Sequence, residues 1–212
     1  MGIPVLILGE SGSGKSASMR NFTANDVSVF NIAGKPLPFR RKLPSMNTSD
    51  YARIKKSISV SRKKAFVIDD SQYLMCFESF AKAKETSYSK YTDMALHFYD
   101  LIQHIIKNTA PDVVVYFLHH TEQDSNTGKI KAKTMGKMLD NQLTLEGLFS
   151  IVLLCETDGK THRFVTQSDG LTPCKSPMEM FPPEIDNDLK MVDSAIREYY
   201  NFNKESKSNE TN

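Results

Sequence analysis

No apolar run in this chain of 212 residues approaches the roughly 18 that a membrane-spanning helix needs. The opening MGIPVLILG lacks the basic stretch of a secretory signal, and Leu6 stands where a myristoylation site requires serine or threonine. A soluble, cytoplasmic protein without a membrane partner is therefore expected. Cysteine is scarce: Cys76, Cys155 and Cys174 are odd in number and far apart, which suits small reduced thiols and excludes a disulfide framework or a zinc-ligand spacing. Net charge is low as well. The formal balance of +2 does not by itself imply nucleic acid, so any electrostatic argument rests on where the charges lie. No internal repeat is visible. His97 and His104 share a helical tract with no partner ligands and read as packing or solvent-facing residues.

What is present is a regular alternation of apolar runs and helical tracts. Ile3 to Leu8 is an unbroken apolar stretch, as in a strand buried on both faces, and a Gly/Ser loop leads from it into a short helix at KSASMRNF. Val27 to Ala33 reads as a second strand, ended by Gly34, Pro36 and Pro38. Asn47 to Asp50 resembles a helix start leading into YARIKKSISV. Ala65 to Ile68 gives a third strand, Thr92 to Asn108 a helix, and Val113 to Leu118 a fourth strand. The polar stretch from Thr121 to Gly147 reads as a mobile functional segment. After it, two runs flanking Asp158-Gly159 predict a β-hairpin. The expected fold is α/β: a mostly parallel central sheet flanked by helices, with a C-terminal antiparallel hairpin extension. Residues 1–183 would form this domain, 184–202 a C-terminal helix, and 203–212 a disordered polar tail.

The loop GESGSGKS matches G-x-x-x-x-G-K-[ST]. Its glycines let successive backbone N–H groups turn inward at a helix start, making a positive nest for a polyphosphate. Gly9, Glu10, Ser11, Gly12, Ser13, Gly14, Lys15, Ser16 and Ala17 are the expected nucleotide-binding residues, with Lys15 on the β- and γ-phosphates and the Ser16 hydroxyl on Mg²⁺. A magnesium nucleotide also needs a carboxylate at the end of a neighbouring strand. AFVIDD supplies Asp69, which would hold the metal through water, and Asp70, which could orient or deprotonate an attacking water; the plain alternative is that both only cap a strand. Strand alternation puts His119 and His120 on opposite faces, so only one can face the site, and His120 is favoured as a γ-phosphate sensor. The transferring phosphoryl group needs a further cation, in cis or from a neighbouring subunit. Lys131, Lys133, Arg163 and Lys175 are the candidates.

With GESGSGKS, VIDDSQ and FLHHTE in this order, followed by a lysine-bearing loop, a hairpin and PCKSP, residues Met1 to Pro183 resemble the compact RecA-like P-loop ATPases encoded by bacteriophages. The resemblance implies ATP and Mg²⁺ as cofactors and a role in phage DNA recombination or replication in the host cytoplasm. It also implies a ring or filament of identical subunits, with ATP at their interfaces and mobile loops facing DNA. One departure stands out. RecA itself carries its catalytic glutamate after the second strand, where NIAGKPLPFRRK has no acid, leaving Asp70 as the substitute base.

Nine basic residues lie between Arg40 and Lys64 against the single acid Asp50, a cluster able to neutralise phosphates. Arg40, Arg41 and Lys42 of this cluster are candidate DNA contacts, and the resemblance adds Lys129, Lys131 and Lys133 in the segment where a DNA loop would lie; a single strand is expected, bound without sequence reading. Two other readings remain at this stage: a nucleoside or nucleotide kinase, opposed by the lack of arginine from Thr121 to Gly147, and an ATP-dependent DNA-binding module with little turnover.

Overall fold

The computed structural model describes residues 1–87, 89–135 and 143–202. The expected tail at 203–212 and residues 136–142 of the polar segment lie outside them. Among the described residues, nine strands form one mixed sheet: β1 (Ile3–Gly9), β2 (Val27–Asn31), β3 (Ser45–Asn47), β4 (Ala65–Asp69), β5 (Val114–Gln123), β6 (Ile130–Ala132), β7 (Ile151–Thr157), β8 (His162–Val165) and β9 (Glu184–Asp186). Their order is β3-β2-β4-β5-β1-β7-β8-β9, with β6 paired to β5. The strands from β3 to β7 along this path are parallel, whereas β6, β8 and β9 pair antiparallel. The fold is α/β with a mixed sheet flanked by helices.

Side-chain alternation along β1 splits the interior in two. Leu6 and Leu8 pack with Ile54, Leu74 and Phe98 of the helices α1 (Tyr51–Val60), α2 (Tyr73–Ala81) and α3 (Ser89–Asn108). Val5 and Ile7 face Met19, Phe22 and Tyr116, under α4 (Leu189–Tyr199). Each such side chain, fully removed from water, stabilises the fold by about 2 kcal/mol. That is why the central strand tolerates no polar residue on either face before its last turn.

Three elements differ from expectation. The segment after the Gly/Ser loop is only a 3-10 helix, Ser16–Asn21. The Ser18 hydroxyl takes the Lys15 carbonyl at 2.5 Å, Arg20 donates to the Asn187 carbonyl and Asn21 donates to Asp188 at 2.7 Å. These side-chain bonds fix the short segment against the loop and the chain before α4, and the backbone turns extended at Phe22. The helix expected from 184 starts at Leu189, because Glu184–Asp186 joins β8 as an edge strand and Asp188 then caps α4 by accepting from the amides of Lys190 and Met191. Finally, part of the polar segment after the fourth strand is ordered: β5 runs on to Gln123 and turns back into β6.

Arg197 on α4 ties the amino-terminal edge of the sheet together. It donates to the carbonyls of Asp112 and Lys64, just before β5 and β4, at 3.0 Å each, and pairs with Asp193 at 2.8 Å. Asp193 in turn accepts from the buried Tyr116 hydroxyl at 2.8 Å. Arg197→Met would leave the Asp193 carboxylate buried without its counter-charge, at a cost of about 3 kcal/mol. Urea denaturation checks this loss, and adding Asp193→Asn, which keeps an acceptor for Tyr116 but removes the charge, should recover part of it.

Candidate functional site: a phosphate loop and two strand-end carboxylates

Parallel register brings the carboxyl ends of β1, β5 and β4 to one edge: Gly9 lies opposite His120, and Ile68 opposite Phe117. With β5 between β1 and β4, the loop after β1 and the acids after β4 face each other across the end of β5, the crevice where ligands of open α/β sheets bind. The cleft there measures about 350 Å³ and is lined by Ser11, Gly12, Gly14, Lys15, Ser16 and Ala17 of the loop. Facing them are Asp69, Asp70, His120, Lys35 and His162. Gly9 and Ser13 are buried behind the loop and Glu10 is exposed.

Close approach dictates two of the glycines. A Cβ on Gly14, whose φ is +103°, would come within 2.8 Å of the His162 ring, and one on Gly9 would meet Ser13 Oγ at 2.5 Å and the Cys155 carbonyl at 2.8 Å. The Ser13 carbonyl accepts from His162 Nδ1 at 2.7 Å and from Cys155 Sγ at 3.0 Å, pinning the loop to β8 and β7. Lys15, only 5% exposed, donates to the carbonyls of Gly9 and Glu10 at 2.7 Å each. Burial pushes its ammonium below the ordinary lysine range, against the pull of Cys155, Asp70 and Asp69.

Ser16 Oγ donates to Asp69 Oδ1 at 2.7 Å, joining the loop to the acid strand. Burial pushes the Asp69 carboxyl up, opposed by the bond from Ser16. A hydroxyl and a buried carboxylate side by side are hard oxygen donors that fit Mg²⁺. Asp70 takes the left-handed φ of +58°, which aspartate tolerates better than most residues. Its carboxylate accepts from Lys35 Nζ at 2.8 Å and His120 Nε2 at 3.2 Å. Burial acts to raise its pKa, but the bonds from His120 and Lys35 outweigh it and hold the group down at about 2.

His119 faces away from the cleft, fully buried, and burial lowers its pKa to about 4. The neutral ring has one N–H. Its Nε2 lies 2.8 Å from the Lys133 carbonyl, which can only accept, so Nε2–H donates there and Nδ1 accepts from the Ser71 hydroxyl at 2.8 Å.

None of the four cations expected from elsewhere lines the cleft. Lys131 pairs with Glu122 at 2.8 Å and Arg163 with Glu156 and Glu184 at 3.4 and 3.3 Å. The Lys175 backbone pairs with Val152. Lys133 is exposed and binds His120 and His119 through its main chain. The candidate DNA contacts divide into two groups. Lys129, Lys131 and Lys133 sit on or beside the β5–β6 hairpin. Arg40, Arg41 and Lys42 sit on an exposed strap anchored by Leu37, Phe39 and Leu43 on the α4 side, where Arg41 donates to the carbonyls of Asn21 and Phe22.

Lys35 and His162 are the cleft residues that motif reading misses. Each did leave a trace in the sequence. Lys35 follows β2 between a glycine and a proline, in the stretch that has no acid, and His162 opens the strand after the Asp158-Gly159 turn. No protein-family model matches the chain, and no curated protein matches it in sequence.

Proposed function

We propose that the protein is a Mg²⁺-dependent ATPase of the RecA-like P-loop class, acting on single-stranded DNA in phage recombination or replication as an oligomer of identical subunits. The observation that carries the nucleotide part is the 2.7 Å bond from Ser16 to Asp69 beneath a loop whose Lys15 is buried against its own carbonyls. A loop hydroxyl, a loop ammonium and a strand-end carboxylate converge on one cleft, the donor set that a magnesium polyphosphate requires.

In this reading the backbone N–H groups and Lys15 hold the phosphates, and Ser16 and Asp69 hold the metal. Mg²⁺ held by these residues would neutralise charge on the polyphosphate. Asp70 orients a water and takes one of its protons while the water oxygen bonds to the γ-phosphorus; the bond to the β–γ bridging oxygen breaks, releasing ADP and phosphate. His120, hydrogen-bonded to Asp70, is set to respond to the γ-phosphate. The DNA part is supported by the exposed Lys129 and Lys133 on the edge that carries the cleft, and by the basic strap.

ATP turnover by the full chain, with and without single-stranded DNA at low and moderate salt, tests the reading. Stimulation by DNA that fades as salt rises is expected. Turnover indifferent to DNA would remove the DNA part, and phosphate transfer to an added nucleoside would reassign the protein as a kinase.

A further inference from the structure

Lys35 lies in the cleft without a role in the loop motif, and its placement is built rather than incidental. Its carbonyl accepts from the side chain of the nearly buried Asn31 at 2.6 Å. Asn31 is the last residue of β2, in register with Asp69 on β4. Gly34, at φ +66°, makes the turn that brings the chain back towards the acid strand, and Pro36 stiffens the exit. The ammonium rests between the Asp70 carboxylate, 2.8 Å away, and the Tyr73 ring, 5.3 Å from its centre. The lysine side chain is 61% exposed where its carboxylate partner is 12% exposed, so the cation sits on the open, cleft-facing side of the pair. An ion pair this exposed adds little to folding.

The geometry points to Lys35 as a catalytic cation supplied in cis, held on Asp70 until a γ-phosphate draws it away. This rests on the ATPase reading. The transferring phosphoryl group spreads its charge over three oxygens; Lys15 approaches it from the loop, and the metal site lies where the loop meets the acid strand, at Ser16 and Asp69. Lys35 faces the same 350 Å³ cleft from the opposite wall. A polyanion there competes with Asp70 for the ammonium. As Lys35 shifts to the phosphate oxygens, one Asp70 oxygen loses its cation and becomes available to the attacking water. One movement would then supply transition-state charge and free the base, and without the γ-phosphate the base stays masked.

The test compares the full chain with Lys35→Ala and Lys35→Arg, measuring turnover and the affinities for ADP and for ADP with magnesium and aluminium fluoride, a mimic of the transferring phosphoryl group. Lys35→Ala is expected to bind ADP as the native chain does, yet to lose about 100-fold in both kcat and affinity for the mimic. Lys35→Arg should recover part of each loss. Lys35→Ala with unchanged kcat and mimic affinity would overturn the role of Lys35 and leave the ATPase standing. Equal losses for ADP and for the mimic would also overturn it, by making Lys35 a uniform binding group. A native chain that neither binds ADP nor hydrolyses ATP would overturn both readings together.

Discussion

Lys15→Ala is expected to weaken ATP binding by about 100-fold or more and to reduce turnover to background, as loss of a preorganised, partly desolvated donor does. The same substitution should leave the fold as stable as before, or stabilise it. The Lys15 ammonium is buried against two carbonyls of its own loop, with burial opposing its charge, so removing it relieves a desolvation cost while forfeiting only the bonds to Gly9 and Glu10. Nucleotide titration and thermal unfolding of the same preparation check both halves. Retained turnover would place the phosphates elsewhere.

Asp70→Asn is expected to keep nucleotide affinity and lower turnover by about 100- to 10,000-fold, the range for losing a positioned general base. Asparagine tolerates the left-handed φ that Asp70 adopts, so backbone strain does not confound the comparison. Single-turnover hydrolysis beside ADP affinity checks it. An unchanged rate would move the base to another group, such as His162, which also lines the cleft.

The residues legible from the sequence are those whose meaning is local. GESGSGKS after an apolar run, and the two acids ending AFVIDD, carry their geometry in consecutive residues, and the structure brings both to one cleft. His120 could be separated from His119 because strand alternation is also local. Lys35 and His162 reach the cleft only through the order β2-β4-β5-β1-β7-β8 and through turns whose direction no short motif specifies. Short pieces were lost for a different reason: β3, β6 and β9 are three residues each, too few for a periodicity to show, and their pairing partners alone make them strands. The 3-10 segment after the loop stays short because the chain turns extended at Phe22, a change of direction that the local pattern does not announce.

The imidazole of His119 acts as a strut. One nitrogen is committed to the hydroxyl of Ser71, directly after the strand-end carboxylates, and the other to the main chain of Lys133, on the hairpin arm that carries the exposed lysines. A neutral ring has no spare proton and His119 is fully buried, so neither contact can open without stranding a ring nitrogen at about 1–3 kcal/mol. Two stretches of chain some sixty residues apart are thereby obliged to travel as one body: whatever displaces the acid strand's end carries the hairpin with it.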